Sequence, residues 1–146
     1  MATVSNLIPA RIDPRHLALP YAISFTRAGL SGFPSPAQDY DGGSLDLHER
    51  FIRHPSATFY VTVDGDSMLE AGIHPGDTLI IDRSLETLPG RIVIAVVDGE
   101  MTVKRFEIRH GRPYLVSANP KYAPIPFNDD GYQIWGVVRC VIHETI

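Results

Sequence analysis

Asp64-Gly65-Asp66-Ser67-Met68 sets a serine at a sharp turn behind a β-branched and aromatic run, Thr58 to Val63. A serine at such a junction can stand exposed while neighbouring backbone N–H groups point to the same side. That combination supplies a nucleophile and an oxyanion hole. Gly-Asp-Ser is equally an ordinary turn sequence. Lys104 sits in the middle of Met101-Thr102-Val103-Lys104-Arg105-Phe106. Strand alternation puts Thr102, Lys104 and Phe106 on one face and Met101, Val103 and Arg105 on the other, so one of two adjacent charges must share an apolar face. A lysine there either snorkels to water or is desolvated, with a pKa low enough to take a proton from a serine.

The basic residues are lopsided, with 11 Arg against 2 Lys, at 104 and 121. Arg keeps its proton in a protein whereas a buried Lys can lose it, which sets both lysines apart. Other constellations are weaker. His74 and Asp77 lie near Ser67 in sequence and could form a Ser-His-Asp arrangement, but His74-Pro75-Gly76-Asp77 reads first as a turn. The 6 histidines show no helical metal-ligand spacing. Cys140, within Val138-Arg139-Cys140-Val141-Ile142, reads as a buried apolar residue. No phosphate-binding glycine loop is present.

The elements that must hold these residues read as β structure. Ser44 can cap a short helix with Leu45, Leu47, Phe51 and Ile52 turned inward, stopped by Pro55. Strands are expected over 58–63, 78–82, 91–97, 100–108, 114–117 and 132–142. The run at 91–97 is apolar enough to be buried on both faces. Asp98-Gly99 between two β-rich runs is a hairpin signal. Ser67 to Ala71 can form one helical turn ended by Gly72, and 119–130 is a loop with three prolines. The fold class is therefore mainly β: a compact domain over 44–146 built of several short curled sheets. Residues 1–43, interrupted by Pro9, Pro14, Pro20, Pro34 and Pro36, read as a mostly irregular N-terminal arm.

Composition bounds the rest. The 146 residues suit one domain, and 44% apolar with 21% charged is globular. The longest apolar run, Ile92 to Val97, is far short of the roughly 20 residues a membrane helix needs. With no charged-then-apolar leader, the chain is expected to be cytoplasmic. One cysteine excludes an internal disulfide framework. A net charge of −4 argues against broad electrostatic binding to nucleic acid.

Three segments, in this order and spacing, carry a resemblance. Ser31-Gly32 precedes Phe33-Pro34-Ser35-Pro36-Ala37 and Asp39-Tyr40. His54-Pro55-Ser56-Ala57-Thr58 leads into Gly65-Asp66-Ser67-Met68. Val97-Asp98-Gly99-Glu100 leads into Thr102-Val103-Lys104, with the lysine 37 residues after the serine. From about Phe33 to Cys140 the chain resembles the UmuD-like branch of the LexA-like Ser-Lys self-cleaving peptidases. The resemblance implies Ser67 as nucleophile, Lys104 as general base, and the backbone N–H groups of Ser67 and Asp66 as the oxyanion hole. It implies self-cleavage at Ser31-Gly32, where two small residues suit a narrow cleft, although a UmuD-like chain is expected to carry Ala or Cys in place of Ser31. It implies a LexA- or signal-peptidase-like β fold, no cofactor and no metal. It also implies a homodimer, activation by a RecA filament on single-stranded DNA in response to DNA damage, and partnership of the product with a UmuC-like error-prone translesion polymerase. The strand 132–142, with Trp135, is the expected dimer face. A LexA-type repressor would need a helix-turn-helix domain ahead of the cut, and the proline-interrupted residues 1–31 do not read as one. A self-cleaving regulator with another partner, and a non-enzymatic binding module on the same fold, are the alternatives.

Overall fold

The computed structural model describes residues 2–10, 18–20, 44–128 and 130–146. A first compact unit gathers Met1–Ile12 with His54–Ile146, and a second comprises Asp13–Arg53. In the second unit, β2 (Ala18–Pro20) pairs antiparallel with β3 (Ser44–Asp46), and α1 (Leu47–Phe51) follows. The cap of α1 is Asp46, whose carboxylate accepts from Glu49 N, and not Ser44, which lies in the strand. Ile52 is buried as expected, but Leu47 and Phe51 are exposed. A helix of 5 residues has barely one turn, too short to present all three apolar side chains to one side.

The first unit is an eight-stranded antiparallel sheet with strand order β1-β4-β5-β10-β6-β7-β8-β9. Its strands are β1 (Thr3–Pro9), β4 (Thr58–Asp64), β5 (Thr78–Asp82), β6 (Ile92–Val97), β7 (Glu100–Arg109), β8 (Arg112–Val116), β9 (Ile125–Pro126) and β10 (Gln133–Ile142). The described residues are mainly β, as expected from sequence, with their strands in this sheet and in the two-stranded β2–β3 sheet. Register shifts between Ser5 and Ile8, Ile134 and Gly136, and Val138 and Cys140 mark where the strands are irregular. Such bulges bend strands, and here Thr3 of β1 pairs with both Asp64 of β4 and Thr102 of β7, strands that stand second and sixth in the sheet order.

β1 departs from the irregular arm read in the sequence. Pro9 and the prolines that follow it masked a strand whose first half, Thr3-Val4-Ser5, pairs regularly with β4. Pro9 sits at the strand's end, where a missing donor is tolerated.

Two apolar clusters fill the unit. One joins Val61, Val63, Met68, Ile81, Ile94 and Val103 with others, and the second joins Val93, Ala95, Val97, Leu115 and Val137. β6 alternates between them, so it is buried on both faces, as its unbroken apolar run implies. β10 lies between β5 and β6, pairing with β6 over its first half, from Gln133 to Val137, and with β5 over its second, from Val137 to Ile142. Trp135, expected as a dimer anchor, packs partly buried against the first cluster, edge-on to Phe59 at 5.1 Å and under the Arg83 guanidinium at 4.4 Å.

Candidate active site

Two hairpins set the position of Lys104. Asp98 and Gly99 both have positive φ, 51° and 81°, the turn that matches strand twist. The resulting register runs from Val97↔Glu100 to Val93↔Lys104. His110 and Gly111, with φ of 52° and 75°, make the second turn and pair Arg105 with Val116. Ser117, the next residue, therefore comes level with Lys104. Ser67 lies at the turn leaving β4, where Gly65 takes φ +89°. Beside it, Met68 is fully buried in the first apolar cluster and anchors the turn. A 3₁₀ turn over Leu69–Ala71 follows and ends at Gly72, whose left-handed φ of +77° suits glycine.

These elements bring the two residues together. Lys104 Nζ lies 3.2 Å from Ser67 Oγ and 2.7 Å from Ser117 Oγ. Ser67 is 0% exposed and Lys104 1% exposed. Burial lowers the Lys104 ammonium from its ordinary 10.5 to about 8, within the 7-to-10.4 range that a partly desolvated base requires. The Tyr122 ring lies 5.8 Å from Nζ. Lys104 is thus not a snorkelling surface lysine.

The loop after β8, legible in the sequence only as a proline-rich connection, grips the serine turn at several points. Ala118 N donates to Met68 Sδ at 3.4 Å, and Glu70 N donates to the Ala118 carbonyl at 2.8 Å. Asn119 Nδ2 donates to the Asp66 carbonyl at 2.9 Å, and the Tyr122 hydroxyl donates to Asp66 Oδ1 at 2.7 Å. The Tyr122 bond holds the Asp66 carboxyl below the ordinary range, and the same bond raises the Tyr122 phenol. Asp66 is thereby fixed immediately before Ser67. Ser117, Asn119 and Tyr122 escaped sequence reasoning. The register of the His110-Gly111 hairpin was the one signal that could have identified Ser117.

The other candidates lie elsewhere. The His74 ring neighbours Asp77, at 3.7 Å, and His143, at 5.0 Å between centroids. The groups bonded to Ser67 Oγ among the described residues are Lys104 Nζ and the backbone N–H of Ala2, the latter at 2.8 Å. Burial raises the Cys140 thiol, the opposite of an activated nucleophile. Ser31 and Gly32 lie outside the described residues. No helix among the described residues is long and apolar enough to cross a membrane.

The chain is similar to Protein SamA of Salmonella typhimurium, 46% identical over 121 residues that cover 83% of this chain and 84% of that protein. It is similar to Protein MucA of Escherichia coli, 49% identical over 111 residues, 74% of this chain and 75% of MucA. The LexA repressor of Ectopseudomonas mendocina is 38% identical over 95 residues, 65% of this chain and 46% of the repressor. The family model for Peptidase S24-like proteins matches residues 24–139, from ahead of the expected cleavage site to within β10. The chain belongs to the Peptidase S24-like family.

Proposed function

We propose that the chain is a self-cleaving serine peptidase in which Ser67 is the nucleophile, Lys104 the general base and Ser31-Gly32 the scissile bond. The observation that carries this reading is a buried lysine amine 3.2 Å from a buried serine hydroxyl, its pKa lowered by that burial. A neutral amine can give one N–H to Ser117 Oγ and keep its lone pair for the Ser67 proton. The Ser67 oxygen then attacks the Ser31 carbonyl carbon, and the backbone N–H groups of Ser67 and Asp66 stabilise the oxyanion. Collapse breaks the Ser31–Gly32 C–N bond, and the Lys104 ammonium returns a proton to the departing Gly32 amine. Water, deprotonated by Lys104, hydrolyses the acyl-enzyme and restores Ser67.

On this reading the product, residues 32–146, serves as an accessory subunit of a UmuC-like error-prone translesion polymerase. It acts as a homodimer in the cytoplasm, and a RecA filament on single-stranded DNA favours the cleavable state after DNA damage. The likeness to the UmuD-like proteins supports these partners. A non-enzymatic binding module would have no use for a desolvated lysine beside a buried serine. The test is to incubate the purified chain at pH 7 and pH 10 and measure product masses. The expected product begins at Gly32 and is absent for Ser67→Ala, Lys104→Ala and Lys104→Arg, since a guanidinium cannot act as the base. A product from Lys104→Arg, or a cut elsewhere, overturns the assignment.

A further inference from the structure

The Ser67 hydroxyl already has a partner from the chain's own first strand. Ala2 N–H donates to Ser67 Oγ at 2.8 Å, and Val103 N–H donates to the Ala2 carbonyl at 3.0 Å. Thr3 pairs with Asp64 on one side and Thr102 on the other, and Val4 and Ser5 continue the ladder along β4. Ala2 is 0% exposed within the same apolar cluster as Met68 and Val103. An extended segment thus lies between the strand that ends at the serine turn and the strand that carries Lys104. It offers the nucleophile an N–H and not a carbonyl carbon, so it cannot be cut there. Ser67 is fully covered while it stays. The segment precedes residue 24, where the family match begins.

We infer that residues 2–9 are an autoinhibitory strand, which must leave the groove between β4 and β7 before Ser31-Gly32 can reach Ser67. This rests on the self-cleavage reading above. It makes the intact chain a two-state switch whose closed form is the one described, and anything that favours the displaced strand raises the cleavage rate.

Two variants test it, each against the wild-type chain at pH 8.5 with product masses as readout. Deleting residues 2–9 is expected to raise the rate of the Ser31-Gly32 cut about tenfold or more, by removing the closed state. Because that deletion also removes core contacts, a lock is the second variant. Ser5 and Thr62 are direct partners across the ladder, and opposite residues of an antiparallel pair are close enough for a disulfide. Ser5→Cys with Thr62→Cys, in a Cys140→Ser background, is expected to stop cleavage when oxidised and to regain it on reduction. Oxidised and reduced forms cleaving at one rate overturn the inference while leaving the self-cleavage reading intact. A wild-type chain that never cuts overturns both.

A different cluster carries a second inference. β10 ends opposite the start of β5, with Ile142 paired to Thr78, which sets His143 beside Asp77. The turn from His74 to Asp77 brings in a second imidazole. His143 Nδ1 lies 2.6 Å from Asp77 Oδ1, and His74 Nδ1 lies 3.7 Å from Asp77 Oδ2. The carboxylate is 2% exposed and is oriented by the His74 backbone N–H at 2.8 Å, while the two imidazoles are about half exposed, at 48% and 51%. One donor atom from each residue falls within 4.8 Å of the others. Two neutral imidazoles and a carboxylate form a donor set for zinc or cobalt, with the fourth position open to water.

We propose that His74, Asp77 and His143 bind a divalent transition-metal ion. The site is distinct from the Ser67–Lys104 pair. The separation of 66 residues between Asp77 and His143 hides it from any reading of local spacing. Titrating the full chain with zinc chloride by calorimetry, and with cobalt by visible absorption, is expected to show one site per chain. His143→Ala and His74→Ala, both at half-exposed positions, are expected to weaken it by about tenfold or more. No saturable binding, or binding undiminished in both variants, overturns the proposal.

Discussion

Ser117 hydrogen-bonds to Lys104 at 2.7 Å, closer than the 3.2 Å between Lys104 and Ser67. The contact follows from a two-residue turn at His110-Gly111, which counts the strands so that residues 104 and 117 come level. A flexible four-carbon side chain is thereby given a fixed endpoint beside the serine.

Ser117→Ala is expected to slow self-cleavage about fivefold to tenfold without unfolding the chain, the effect of losing one hydrogen bond of about 1 kcal/mol to the amine. Ser117 acts through Lys104, so the loss is expected to appear in the rate at every pH, and Ser117→Thr, which keeps the hydroxyl, is expected to restore most of it. A Ser117→Ala chain that cuts at the wild-type rate removes Ser117 from the mechanism.

The cleavage rate of the wild-type chain is expected to follow the neutral fraction of Lys104. With its pKa lowered by burial to about 8, the rate rises about tenfold per pH unit below that point and levels above it. An unperturbed lysine would keep rising to about 10.4, and a histidine base would level near 6.5. Product masses at half-unit steps from pH 6 to 10.5 separate the three curves. A profile already level at pH 7 excludes Lys104 as the titrating base.

Much of this arrangement could be read in the sequence, for local reasons. The unbroken apolar run of β6 and the Asp98-Gly99 turn both depend on neighbouring residues, and both correspond to elements of the sheet. Strand alternation showed that one of Lys104 and Arg105 must share an apolar face, and the burial of Lys104 is settled by the packing of β7 between β6 and β8. What escaped was non-local. β1 is a strand because β4 offers it an edge, although Pro9 and the prolines that follow it argue otherwise. Asn119 and Tyr122 belong to the serine turn only because the chain returns there 53 and 56 residues after Asp66.

Gly136 is set by close approach. A Cβ there would lie 2.6 Å from Ile81 Cγ2 and 3.2 Å from Arg83 Cγ. Ile81 is fully buried and has little room to move. Gly136→Ala is therefore expected to destabilise the fold by about 1–3 kcal/mol, the cost of overpacking a dense core. Denaturant unfolding measures it, and a change below about 0.5 kcal/mol, typical of an unconstrained surface site, rejects the packing argument.

Lys104 is expected to cost the fold stability that an apolar residue would recover. Above pH 10.5 the amine is neutral in both folded and unfolded chains and no penalty arises. As pH falls from 10.5 toward 8, the unfolded chain takes up the proton while the folded one, with its pKa near 8, resists it. Protonation then favours unfolding, and the penalty reaches about 3 kcal/mol once both states are charged, below pH 8. Lys104→Met removes this penalty and loses the hydrogen bond to Ser117, worth about 1 kcal/mol. In a Ser67→Ala background, which prevents cutting during the measurement, Lys104→Met is expected to gain about 2 kcal/mol at pH 7. The gain shrinks as pH rises, vanishes at about pH 9.8, where the penalty equals the lost hydrogen bond, and turns into a loss of about 1 kcal/mol above pH 10.5. Denaturant titrations at pH 7, 8.5 and 10 trace this slope. An equal effect at all three would mean that Lys104 is not held away from its ordinary pKa, and the base assignment would lose its electrostatic ground.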